Sequence, residues 1–145
     1  MRSKAKLELV LSPCHFTYMR SELKFKFIWW GLCHLTAFLI LVVCLIPTSG
    51  KTPIYPHLDK FFHFFGHGIL AYLYTQIWNP NKLTSLFISL FIYGFMIEIL
   101  QFLTGWRTFD LYDVLGNSFG ALYGIFWGLS LGQGLFVKLE KVIRK

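Results

Sequence analysis

The side chains able to do chemistry fall in three short blocks. Asp59, Lys60, His63 and His67 form the first, Glu98 and Gln101 the second, and Arg107, Asp110, Asp113 and Asn117 the third. At about 100° per helical residue, Asp59, His63 and His67 share one face, Glu98 and Gln101 a second, and Asp113 and Asn117 a third. Such faces admit three chemistries: metal ligation by histidine and carboxylate, acid–base catalysis by histidine beside a carboxylate, and recognition of a polar ligand by opposed charges. A zinc-protease helix needs glutamate where Phe64 stands, and no cysteine is near, so no metal is expected. The serines and threonines have no nucleophile setting and there is no phosphate loop, so no catalytic residue and no cofactor is assigned.

These polar residues lie in an apolar chain. Of 145 residues, 55% are hydrophobic and 14% charged, against about 25% charged in ordinary soluble domains. The apolar residues cluster into four windows of about 18 or more, the length a helix needs to cross a hydrocarbon core of about 30 Å. An all-α membrane domain of four transmembrane helices in an antiparallel bundle follows. The net charge of +7 does not point to nucleic acid, because the basic residues flank the apolar runs. Arg2, Lys4, Lys6, Arg20, Lys24 and Lys26 precede the first, and Lys138, Lys141, Arg144 and Lys145 follow the last. That is the positive-inside pattern, with anionic membrane lipids as the partner.

Taken in order, residues 1–24 form a basic tail expected to be flexible, and residues 25–137 the membrane domain. The first helix is expected from Phe25 to Ile46, too long for the apolar part of a cleaved signal peptide. An external loop then carries Pro47 to His57. The second helix runs from Asp59 to Trp78, a tight turn follows at Asn79-Pro80-Asn81-Lys82, and the third runs from Leu83 to Leu103. The fourth is expected as one helix from Phe109 to Val137, followed by a basic tail over residues 138–145. The repeat of Met1-Arg2-Ser3 at Met19-Arg20-Ser21 marks Met19 as a plausible translation start.

Placing both termini in the cytoplasm puts a strong positive excess inside and none outside. The three polar blocks then share one depth, the outer third of the bundle. Charge at that depth is costly in lipid, by about 2.5–3.5 kcal/mol per group, so the polar faces should turn inward or into a wet cavity. Gly116, Gly120, Gly124, Gly128 and Gly132 repeat every fourth residue and read as a helix-packing groove that could also hold a lipid tail. Cys14, Cys33 and Cys44 have neither metal spacing nor a disulfide framework and read as packing residues. A purely structural reading pairs Glu98 with Lys60 and Arg107 with Asp110 or Asp113, fixing helix registry.

Asp59-Lys60-x-x-His63, Glu98-x-x-Gln101 and Arg107-x-x-Asp110-x-x-Asp113-x-x-x-Asn117-x-x-Gly120-Ala121-x-x-Gly124, in that order, resemble the VanZ-like family of small bacterial membrane proteins. The family pattern most often carries a tyrosine where Gly66 or His67 stands in this chain, and the segment before Met19 lies outside the resemblance. The resemblance implies a multi-pass protein of the bacterial cytoplasmic membrane. Through the family's founding member it also implies a link to low-level resistance to the glycopeptide teicoplanin. The expected function is binding or envelope modulation, with Asp59, Lys60, His63, Glu98, Gln101, Arg107, Asp110, Asp113 and Asn117 forming an outward pocket for an amphiphilic or lipid-linked cell-wall ligand. The alternatives are an intramembrane enzyme acting on a lipid-linked phosphate through His63 or His67, and a small oligomeric transporter.

Overall fold

Long, mostly apolar runs, several of them interrupted by single charges, set the helices of the protein. Its computed structural model describes residues 19–46, 58–105, 107–132 and 134–144. The helices are α1 (Lys26–Leu45), α2 (Leu58–Ile77), α3 (Leu83–Leu103), α4 (Leu111–Ser130) and α5 (Leu135–Ile143), with a short 3-10 turn at Pro80–Lys82 before α3. No strand occurs among the described residues, only a single bridge between Met19 and Trp78. The expected loop from Pro47 to His57 lies outside the described residues.

The helix ends follow from local chemistry. Asn79 caps the 3-10 turn by accepting from the Asn81 N–H at 3.0 Å, with Pro80 in the first position, where its missing N–H costs nothing. Asp110 caps α4 by accepting from the Tyr112 N–H at 2.8 Å. Beyond α3, Gly105 turns the chain at φ 72°, a left-handed conformation that glycine enters without a Cβ clash.

Among the described residues, two segments are long and apolar enough to cross a membrane: α1, and α3 with its preceding turn. A third qualifies only if α4 and α5 count as one span bent by 52°. α2 is shorter on hydropathy because Asp59, Lys60, His63 and His67 occupy its first half. Its second half is buried completely at Leu70, Ala71, Thr75, Gln76 and Ile77, so it forms the core of the bundle.

Two sequence expectations need correction. The run from Phe109 to Val137 is not one helix. It stops at Ser130, and α5 starts after Gly134, whose φ of 75° reorients the chain. The break is fastened to α2, since the Leu135 N–H donates to Gln76 Oε1 at 3.2 Å.

The expected flexible tail also fails for its last residues. Met19 and Leu23 are buried, and the Arg20 N–H donates to the Ile77 carbonyl at 2.7 Å. Residues 1–18, Cys14 among them, lie outside the described part.

Glu140 explains why the segment before α1 is ordered. Its buried carboxylate accepts from the Lys24 N–H at 2.8 Å, the Phe25 N–H at 2.9 Å and the Trp29 indole N–H at 2.7 Å. A side chain from the last helix thus satisfies donors at the start of the first, which a helix N-terminus otherwise leaves open. Trp29 stacks on Phe136 beside it, with ring centroids 4.2 Å apart. Glu140→Ala should cost about 1.5–3 kcal/mol, the range for hydrogen bonds to a charged group. Faster tryptic cleavage at Lys24 and Lys26 would register the loss; an unchanged cleavage rate would contradict this role.

Candidate functional site

The glycines of α4 decide how close it comes to α2. A Cβ at Gly120 would overlap the Phe64 carbonyl oxygen, and one at Gly124 the Gly68 carbonyl oxygen. At Gly128 it would lie 2.7 Å from Thr75 Cβ, and at Gly132, now in the break after α4, 2.6 Å from the Tyr72 hydroxyl oxygen. Gly116 differs: its nearest neighbour would be the Lys60 carbonyl oxygen at 3.6 Å, an ordinary contact. Backbone-to-backbone approach brings the first turns of α2 and α4 together, and the polar residues meet there.

Asp113 lies at the centre, 1% exposed. Its Oδ1 accepts from Lys60 Nζ at 2.9 Å and its Oδ2 from Arg107 Nη2 at 3.2 Å. Lys60 also donates to Asp110 at 2.5 Å, and Arg107 to Asp59 at 2.9 Å. The pairing is therefore not the one read from sequence for Glu98, which contacts His63 rather than Lys60. His63 Nδ1 lies 3.6 Å from Glu98 Oε1, and His63 Nε2 lies 3.8 Å from Asp113 Oδ2. The imidazole is fixed by Nδ1 donating to Asn117 Oδ1 at 3.1 Å.

Eight of the nine sequence-derived binding residues thus converge: Asp59, Lys60 and His63 from α2, Glu98 from α3, and Arg107, Asp110, Asp113 and Asn117 from the turn and α4. Gln101 is placed elsewhere. Its Nε2 donates to the Cys44 carbonyl at 2.8 Å, tying the end of α3 to the end of α1. His67 does not join the cluster through any hydrogen bond; both its ring nitrogens are buried without a partner, with Nε2 over Gly94.

Gly94 was missed in the sequence reading. A Cβ there would lie 2.9 Å from His67 Nε2 and 3.0 Å from Asn117 Cβ, so only glycine leaves room for both. Its position one turn before Glu98, on the same helical face, was the available signal.

The cluster borders an apolar groove between α2 and α4. About 480 Å³ of it is lined by Lys60, Phe61, Phe64, Phe65, Gly116 and Phe119. A separate cavity of about 350 Å³ lies on the other side of Phe65, lined also by Tyr72 and Trp127. Lys60 belongs to both the ion cluster and the groove wall.

Asp110, just ahead of α4, has its carboxyl held below the ordinary carboxylate range. The Lys60 hydrogen bond is the main cause; it outweighs partial burial and is helped by the Tyr112 N–H. A carboxyl depressed in the folded state stabilises above its unfolded value of about 3.9 and stops doing so as pH falls through the folded value. Asp110→Asn keeps the cap but not the charge. It should melt below the parent protein at neutral pH, and the gap should close below about pH 4. A gap independent of pH would rule out the ion pair as its source.

The VanZ/LLP1 family model matches residues 3–131. The match takes in α1 to α4 and the whole cluster, and it begins ahead of Met19, so the leading segment belongs to the family region after all. No curated protein and no solved structure matches the chain. With most of its length and every residue of the cluster inside that match, the chain belongs to the VanZ/LLP1 family.

Proposed function

We propose that this is a multi-pass protein of the bacterial cytoplasmic membrane that binds an amphiphile at its outer end and so modulates the cell envelope, without catalysing a reaction. In this reading α1, α2, α3 and α4 all cross the membrane as an antiparallel bundle with both termini in the cytoplasm. α2 can cross despite its charges because they face Asp110, Asp113 and Arg107 rather than lipid. α5 then lies at the cytoplasmic surface, where Lys138, Lys141 and Arg144 meet anionic headgroups.

The observation that carries the binding role is the double membership of Lys60. A ligand with a polar head and an apolar chain would place the head against Lys60 and Asp110 and the chain along Phe61, Phe64, Phe65 and Phe119. Lipid-linked cell-wall components and lipoglycopeptides of the teicoplanin kind both have that build.

Native mass spectrometry of the protein in a mild detergent should find one retained amphiphile per chain. Lys60→Gln and the groove-filling Phe119→Trp should each lose it, and with it any protection against teicoplanin. Equal retention and protection in both variants would end this reading.

A second reading is favoured by the position of His63 between Glu98 and Asp113. An imidazole flanked by carboxylates suits acid–base work on a lipid-linked phosphate. Turnover of such a lipid by purified protein, lost in His63→Gln, would select it over simple binding.

A further inference from the structure

We propose that His63, Glu98 and Asp113 form a site for one first-row divalent metal ion, with Asn117 as the residue that orients the imidazole. The three ligands come from three helices, and one donor atom from each lies within 4.8 Å of the others. All are buried, at 4%, 1% and 1% exposure. Two features beyond proximity point to an ion.

The first is an orphan. Glu98 Oε1 is shielded from solvent and accepts no hydrogen bond, although it faces the His63 ring at 3.6 Å. A buried carboxylate oxygen with no donor is expensive, and a bound ion would supply the missing partner.

The second is charge. Asp59, Glu98, Asp110 and Asp113 are four carboxylates, and the cluster holds only Lys60 and Arg107 against them. A divalent cation brings the formal sum to zero beside Glu98 and Asp113, the two of the four that are buried.

The geometry also suits a metal of this class. Zinc takes imidazole nitrogen and carboxylate oxygen at about 2.0–2.2 Å, which in a tetrahedron sets ligands about 3.3–3.6 Å apart. With Nδ1 engaged by Asn117, Nε2 is the ring nitrogen left to ligate; it lies 3.8 Å from Asp113 Oδ2, while Glu98 Oε1, 3.6 Å from Nδ1, must swing towards the Nε2 edge to complete the set. One imidazole with two carboxylates is a donor set for zinc or manganese rather than for calcium, which takes six to eight oxygens, or for soft copper(I). Asn117 holds one ring nitrogen of His63, the usual task of an outer-shell partner. His63 and His67, one turn apart on α2, do not make the site together. His67 faces Gly94, and Asp113 takes its place.

The test uses the full-length protein purified in mild detergent, stripped with EDTA and reloaded with zinc or manganese. Elemental analysis should give about one equivalent of metal per chain. Glu98→Gln, which removes a charge but no volume, should lower affinity at least tenfold, and Asn117→Ala by about 10–100-fold, the range for outer-shell partners. X-ray absorption of the zinc-loaded parent protein should show only nitrogen and oxygen ligands, with scattering from a single imidazole, and this measurement does not depend on how the variants fold. Absence of stoichiometric uptake, sulfur in the first shell, or uptake unaffected in Glu98→Gln would overturn the proposal. Metal content is read without any amphiphile present, so its outcome is separate from that of the binding reading above.

Discussion

Alanine at Gly120 or Gly124 is expected to destabilise the bundle by about 3 kcal/mol or more, and alanine at Gly116 to be neutral or slightly stabilising. In sequence the three glycines are equivalent members of one repeat. In the structure they are not. At Gly120 and Gly124 the added Cβ collides with carbonyl oxygens of Phe64 and Gly68, which belong to a helical backbone and cannot rotate aside. Overpacking commonly costs about 1–3 kcal/mol, and the upper end or beyond applies when two helices must separate to relieve it. Separation would also open the cluster, because Lys60 and Asp113 sit on the two helices being pushed apart. At Gly116 the nearest atoms are 3.6 and 3.8 Å away, so the Cβ fits, and alanine gains up to about 1 kcal/mol of helix propensity. Thermal unfolding in detergent followed by circular dichroism would measure all three. Equal losses at Gly116 and Gly120 would refute the close approach of α2 and α4.

Asp113→Ala is expected to be the most damaging change within the polar cluster, at about 1.5–3 kcal/mol, the range for hydrogen bonds to charged groups, while Asp59→Ala costs under about 1 kcal/mol. Asp113 is buried and accepts from both cations, with one oxygen towards Lys60 and the other towards Arg107. Its removal withdraws one partner from each cation at once, and the loss is moderated because Lys60 keeps Asp110 and Arg107 keeps Asp59. Asp59 has the same charge and shares Arg107, but its side chain is 38% exposed and solvent screens what it contributes. The comparison is informative because the sequence assigns both carboxylates to one binding set without ranking them. Unfolding midpoints of the two variants that coincide would mean that the cluster is held by something other than Asp113.

The long apolar runs made the helices legible. α3 occupies Leu83–Leu103, the range read from sequence, and α2 and α1 differ from theirs by about a residue at each end. The grouping of Asp59, Lys60, His63, Glu98, Arg107, Asp110, Asp113 and Asn117 was also legible, since each block has a single polar face and lipid penalises any arrangement in which those faces do not meet.

The break after Ser130 was obscured by the same glycine repeat that marked the packing groove. A stripe at every fourth residue runs through Gly132 without signalling that the helix has ended. Glu140 was read as one charge in a basic tail, because the donors it serves, at Lys24, Phe25 and Trp29, are at the other end of the chain.

Sequence by itself thus determined that the chain is an apolar helical protein of the VanZ/LLP1 family, and which residues were candidates for one polar site. Those properties follow from composition and from the 3.6-residue period, both local to the chain. Only the tertiary structure decided the partners: Asp113 over Asp59 as the shared carboxylate, His63 over His67 beside Glu98, and Gln101 bound to α1 instead of the cluster. Such choices depend on how far each helix is rotated and shifted against its neighbours. That rotation is set where Gly120 and Gly124 let two backbones touch, a contact between residues more than fifty positions apart.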